Sequence, residues 1–140
     1  MQNLSPEHLA EIARQLGSIS AFLGGFAAAF LGTLLTQNTP QRVLRWAVAS
    51  AAVSSVAFIV TVVAMTKLVM VLHPQAPANV AKGGIMGARV AGMLCFLLGT
   101  YTLMASIGLS GWLRSRRMGL VTSALAGLGA LLITLLLAGG

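Results

Sequence analysis

The stretch GSISAFLGGFAAAFLGTLL, Gly17–Leu35, decides how the rest of the chain is read. It carries no charged residue and has the length, about 20 residues, that a helix needs to cross the hydrocarbon of a bilayer. Small residues recur every three or four positions, at Gly17, Ala21, Gly24/Gly25, Ala28 and Gly32. On a helix that spacing makes a face that a neighbouring helix can approach closely. Phe22, Phe26 and Phe30 repeat every four positions on a second face, with Thr33 near them. Two readings are open. In one, a bulky face ending in a hydroxyl lines a narrow pore. In the other, the helix is simply packed, and its phenylalanines meet lipid or partner helices. Taken alone, the segment favours packing, because faces of small residues at this spacing are general among membrane helices.

The composition agrees with a membrane setting. The 140 residues are 57% hydrophobic and 8% charged, with a mean hydropathy of +0.91. A soluble domain carries about 25% charged residues. Net charge is +7, from nine Lys/Arg against two acids. The basic residues stand at the ends of apolar segments and are not gathered on one polar surface, which argues against nucleic acid as a partner. The single cysteine, Cys95, excludes an intrachain disulfide, a CxxC redox centre and a cysteine zinc site. It reads as a small apolar residue in a membrane segment.

Residues 1–16 read as an amphipathic helix. Ser5 is the expected N-cap, Pro6 suits the first helical position and Glu7 suits the positive end. Leu9, Ile12, Ala13 and Leu16 form an apolar stripe, with Glu7, Glu11, Arg14 and Gln15 outside it. The stretch is too polar for a signal peptide, and it is expected to run directly into the first spanning helix, 17–35. Asn38 and Pro40 carry turn chemistry. Helix two is expected over 43–72, with Arg42, Arg45 and Trp46 at its interfacial start. Lys67 stands far enough along it to snorkel to the opposite headgroups. His73-Pro74 ends it, and the connection to Arg89 is broken up by prolines, Asn79 and Gly83-Gly84.

Helix three is expected over 87–113, with Gly92, Gly99 and Gly108 for close packing and Tyr101 needing a partner for its hydroxyl. Trp112, Arg114, Arg116 and Arg117 mark an interface. A short connection then makes helices three and four, the latter over 118–137, a tight antiparallel hairpin. No soluble tail is expected after it. The fold class is therefore an all-α membrane protein of one domain, residues 1–140, with four transmembrane helices and both termini on one side. The basic residues do not choose that side: Arg14, Lys67, Lys82 and Arg89 stand against Arg42, Arg45, Arg114, Arg116 and Arg117.

Chemistry is sparse. The only acids, Glu7 and Glu11, precede the first span, so no membrane carboxylate is there to carry a proton or bind a cationic drug. The two histidines, His8 and His73, both fall at interfaces and do not make a haem pair inside a bundle. No nucleophile–base pair, metal cluster or phosphate loop is recognisable, so an enzyme is not expected, nor a cofactor or metal.

A resemblance adds to this reading. Ser18–Ala27, SISAFLGGFA, resembles the pore helix of the Orai family of calcium channels, which carries a similar run ending in Gly-Phe-Ala. Leu98–Arg114, LGTYTLMASIGLSGWLR, is similar without gaps to the family's third helix, through Gly99-Thr100, Ala105, Trp112 and the basic residue two positions on. Helix two, rich in Ser and Ala over 49–55 and ending at Pro74, is also similar. The resemblance implies a homo-oligomer, a hexamer, with helix one innermost and both termini cytoplasmic. It implies pore-lining residues Ser18, Phe22, Gly25, Phe26, Ala29 and Thr33. The family's outer-mouth glutamate falls on Thr33, its basic inner position on Ser18 and its third-helix glutamate on Ser106. Its cytoplasmic extension of helix four has no counterpart. The compact chain looks like a prokaryotic relative of the inner (plasma) membrane.

Threonine hydroxyls offer neutral dipoles that replace some ion hydration without concentrating divalent cations, and Phe22 and Phe26 can close a pore by dewetting. The expected function is thus an ion channel lacking the acidic selectivity ring, with its own copies, membrane lipid and ions as partners. Two rivals remain, a non-conducting accessory or scaffold subunit of a larger membrane complex and a small-solute carrier.

Overall fold

The computed structural model describes residues 6–37, 42–72 and 84–139. The expected cap at Ser5, the turn residues Asn38 and Pro40, and the connection containing His73, Pro74, Asn79 and Lys82 lie outside them. Four helices are present: α1 (Pro6–Leu35), α2 (Arg42–Leu72), α3 (Gly84–Trp112) and α4 (Arg116–Ala138). Each is long and apolar enough to cross a membrane. The polar start and the first span are one continuous helix of 30 residues, about 45 Å long at 1.5 Å per residue and so longer than the hydrocarbon is thick.

Three helix starts precede the positions expected for them, α2 by one residue, at Arg42, and α3 and α4 by more. α3 begins at Gly84, because Ile85 packs against the cluster of Ala13, Met65 and Leu68 and holds the first turn despite the glycines. α4 begins at Arg116, because Ser115, in an extended conformation, accepts a hydrogen bond from Met118 N and caps the helix there.

The helices are not a closed bundle. α1 packs on α2, α2 on α3 and α3 on α4, each pair antiparallel, and α4 has no comparable interface with α1 or α2 among the described residues. α2 is the shared middle, with a third of its spanning window buried against 6% for α4. Its partners are chosen by residues seven apart. Ser54 Oγ donates to Gly99 O at 2.8 Å. One turn-pair further, Thr61 Oγ1 shares its proton between Ala57 O at 2.9 Å and Gly92 O at 3.3 Å. In the other direction the donor changes sides, and Ser106 Oγ donates to Ala47 O at 3.0 Å. Each rung sets a hydroxyl against Gly or Ala, because only a small residue leaves its carbonyl within reach of the neighbouring helix.

Phe58 fills the space between the rungs. It is fully buried and joins Ala27 of α1 and Leu103 of α3 in the central cluster. A Cβ on Gly24 would lie 3.2 Å from Phe58 Cβ, and one on Gly99 would lie 3.1 Å from its ring. Phe58 is therefore fitted tightly against a glycine on each side. Phe96 closes the ring's remaining edge in a T-shaped contact, with centroids 6.1 Å apart.

The α3–α4 hairpin uses the same chemistry. Gly108 faces Ala126, and the Trp112 ring lies over Gly119. Trp112 Nε1 donates to Ser123 Oγ at 3.0 Å. Tyr101 finds its partner in Thr134, 2.6 Å away. Ser106, the position that the resemblance matches to a glutamate, is fully buried in the α2–α3 interface.

Ser20 is the exception. It is fully buried against α2, and its hydroxyl has no hydrogen-bond partner among the described residues. These contacts set an order of sensitivity. Ser54→Ala is expected to cost about 0.6–1.7 kcal/mol, the range for one interhelical hydrogen bond in a membrane. Gly99→Leu, which drives a side chain into Phe58, is expected to cost about 1–3 kcal/mol as overpacking. Ser20→Ala is expected to be neutral or stabilising, since it removes an unpaired buried hydroxyl. Denaturant titration of the purified protein in mild detergent, followed by circular dichroism, ranks the three.

Candidate pore face on the first helix

α1 has two unlike sides. One is packed: Ala13, Ser20, Gly24, Ala27 and Leu34 are buried, and Gly17, Leu23 and Leu31 are half-buried. They meet α2 and α3 at three levels, in the clusters around Met65, Phe58 and Ala47. The opposite side is open. Ser18, Phe22, Gly25, Phe26, Ala29 and Thr33 are all exposed, and at 3.6 residues per turn they fall within a sector of about 100°. The six residues suggested as pore-lining therefore share one face of the protomer, with Ser18 at its edge, bordering a groove with Val62, Met65 and Thr66 of α2.

The two sequence patterns on this helix divide between the sides. Four residues turn a helix by about 400°, so a four-residue repeat drifts by about 40° each time. Phe22 is 77% exposed and Phe26 50%. Phe30, third in the series, has drifted inward and packs against Leu34, Ala47 and Ala51. Phe26 and Phe30 still stack, with ring centroids 6.4 Å apart. The small residues divide likewise. Gly17 and Gly24 face Met65 and Phe58 of α2, whereas Gly25 and Gly32 have open space where a Cβ would stand. Ala21 and Ala28 are exposed beside them. One glycine set builds the protomer, and the other is left uncovered.

The hydroxyls on the open face are oriented. Ser18 Oγ donates to Arg14 O at 3.0 Å, Thr33 Oγ1 to Phe30 O at 2.7 Å and Thr36 Oγ1 to Thr33 O at 2.8 Å. Each hydroxyl lies within hydrogen-bonding distance of a carbonyl of its own helix and keeps oxygen lone pairs for what approaches from outside. Such a face can accept hydrogen bonds or coordinate a cation.

The uncovered side of α4 has a different chemistry. There Leu120, Val121, Leu125, Leu128, Leu131, Leu132, Leu135 and Leu136 are all exposed, a surface suited to lipid tails. Within the span of α1 only Ile19, Phe22, Phe26 and Leu35 are exposed large apolar residues.

Two features of the site escaped the sequence. Ser20 lies in the same serine-rich run as Ser18, and only the packing of α2 separates a buried serine from an exposed one. The commitment of the Thr33 proton depends on a rotamer that spacing does not reveal. Among the described residues no group of His, Cys, Asp or Glu side chains is placed to hold a metal ion. Compared with known protein families, curated proteins and solved structures, the chain matches none.

Proposed function

We propose that this multi-pass membrane protein is the pore-forming subunit of a homo-oligomeric cation channel, with α1 innermost. The observation that carries the reading is the open face of α1. Its residues are small, aromatic or hydroxylic where α4 offers leucine, and its hydroxyls, bonded to their own helix, keep acceptor oxygens available. In a ring of copies the open glycines, Gly25 and Gly32, seat neighbouring α1 helices. Phe22 and Phe26 then narrow the axis, and Thr33 forms an oxygen-lined mouth. The serial order from α1 to α4 suits concentric layers, with the leucine face of α4 outermost. The resemblance to the Orai family supplies the number six, the cytoplasmic placement of both termini and the expectation of a prokaryotic inner membrane. With Thr33 in place of a carboxylate, the channel prefers cations weakly and does not concentrate divalent ions.

The open space at Gly25 and Gly32 also fits a non-conducting subunit whose α1 packs against a larger membrane complex. Flux separates the two. In liposomes, Phe26→Ser is expected to wet the constriction and raise ion leak, and Thr33→Glu to raise block by divalent cations. Because Phe26 is half exposed in the protomer, shortening it leaves the fold intact. Oligomers of both variants that pass no ions, with no change from Thr33→Glu, end the pore reading.

Assembly has its own test. Gly32→Leu meets open space in the protomer, so it is expected to leave helix content unchanged while dissociating the ring, as seen by native mass spectrometry in mild detergent. A wild-type protein that is monomeric there contradicts the ring. For orientation, a cysteine in place of Asn3, with Cys95 replaced by serine, is expected to resist membrane-impermeant reagents added to intact cells; labelling reverses the assignment.

A further inference from the structure

Five arginines gather at one end of the protein with no carboxylate to meet them. Arg42 and Arg45 open α2, Arg114 follows α3, and Arg116 and Arg117 open α4; all five are exposed. Leu44, beside Arg45, and Leu113, beside Arg114, pack against the same cluster of Leu34, Ala47 and Ala51, which brings the two groups to the same end. The chain's only two acidic side chains, Glu7 and Glu11, stand in the first turns of α1, at the opposite end. Glu11 there pairs with Arg14 at 3.7 Å. Neither α2 nor α4 has an acid in its first turn. Helix starts carry partial positive charge, so Arg42, Arg45, Arg116 and Arg117 add like charge to like, whereas Arg114 follows the end of α3.

Three further features accompany the charge. Both tryptophans of the chain, Trp46 and Trp112, lie exposed at this end, the side chain type that settles at the headgroup level. The five cations are all arginine, whereas both lysines, Lys67 and Lys82, belong elsewhere in the chain; a guanidinium grips a phosphate with two parallel N–H donors, which an ammonium does not. Finally, a groove runs along the α3–α4 hairpin from Gly108 and Ser123 away from the arginines, lined by Met104, Ala105, Ala126 and Ala130.

We propose that this end binds an anionic phospholipid. The guanidinium groups of Arg114, Arg116 and Arg117 take the headgroup phosphate, Arg42 and Arg45 reinforce the field, and one acyl chain lies in the α3–α4 groove. A free phosphate satisfies the arginines and leaves the apolar groove empty; a phospholipid satisfies both. The site lies away from the open face of α1 and does not depend on the pore reading.

The two tryptophans are built-in reporters. The full-length protein is reconstituted in phosphatidylcholine vesicles containing phosphatidylglycerol, with brominated acyl chains on one lipid at a time. Brominated phosphatidylglycerol is expected to quench the fluorescence beyond its mole fraction, and raising the salt concentration is expected to weaken that preference. Arg114→Gln/Arg116→Gln/Arg117→Gln is expected to lose at least about fivefold in relative affinity, the contribution of roughly one arginine near an anionic surface. Lys67→Gln/Arg89→Gln, at the other end, retains the preference. Equal quenching by the two lipids in the wild type, a preference indifferent to salt, or an equal loss in both variants overturns the proposal. The wild-type arms decide the matter even if the triple variant does not fold.

Discussion

Hydroxyl groups of one helix donating to backbone carbonyls of the next fix the α2–α3 and α3–α4 pairs on which the rest of this protein is built. Lipid tails are as apolar as leucine, so burying leucine between helices brings little gain in a membrane. Close approach and interhelical hydrogen bonds have to supply the association. The α2–α3 interface does both at once: Ser54, Thr61 and Ser106 face Gly99, Gly92 and Ala47, and each hydroxyl reaches a carbonyl that a larger residue would cover. Ser54 and Thr61 donate from α2 and Ser106 from α3, so neither helix can slide along the other without losing these partners. Phe58, between Gly24 and Gly99, turns this pair into a three-helix core by committing a glycine of α1 as well.

This construction leaves the protein's edges unlike each other. α2 spends two faces on packing. α1 spends one, and its other side keeps glycines, alanines and acceptor oxygens uncovered. α4 also spends one, on the hairpin with α3, and shows leucine to its surroundings. A surface of small residues gains little from lipid and much from another helix, whereas a leucine surface is content with lipid. The asymmetry between the two edges is what supports the proposal that α1 packs against other helices while α4 faces lipid.

Charge divides the molecule along the perpendicular direction. Both acids lie at the start of α1, and the opposite end holds five arginines and two helix starts. Little side-chain chemistry lies between: the spanning segments hold hydroxyls, one thiol and one phenol, nearly all hydrogen-bonded within or between helices. The groups able to act on something other than the protein itself are therefore at its ends and on the uncovered face of α1.

What the sequence determined by itself is the membrane class and the four helices. Long uncharged runs bounded by basic and aromatic residues have no other stable solution in a bilayer, since each backbone polar group must be satisfied within its own helix. Helix ends were legible to within a few residues, and they moved where tertiary contact or a cap intervened, as Ile85 and Ser115 did for α3 and α4. The partner of each face was decided only by the tertiary structure. Gly24 and Gly25 are neighbours of identical chemistry, yet one lies under Phe58 and the other in open space; Ser18 and Ser20 differ in the same way. A run rich in small residues offers a neighbouring helix several equivalent faces. The choice among them came from α2, whose Met65 and Phe58 pack against Gly17 and Gly24.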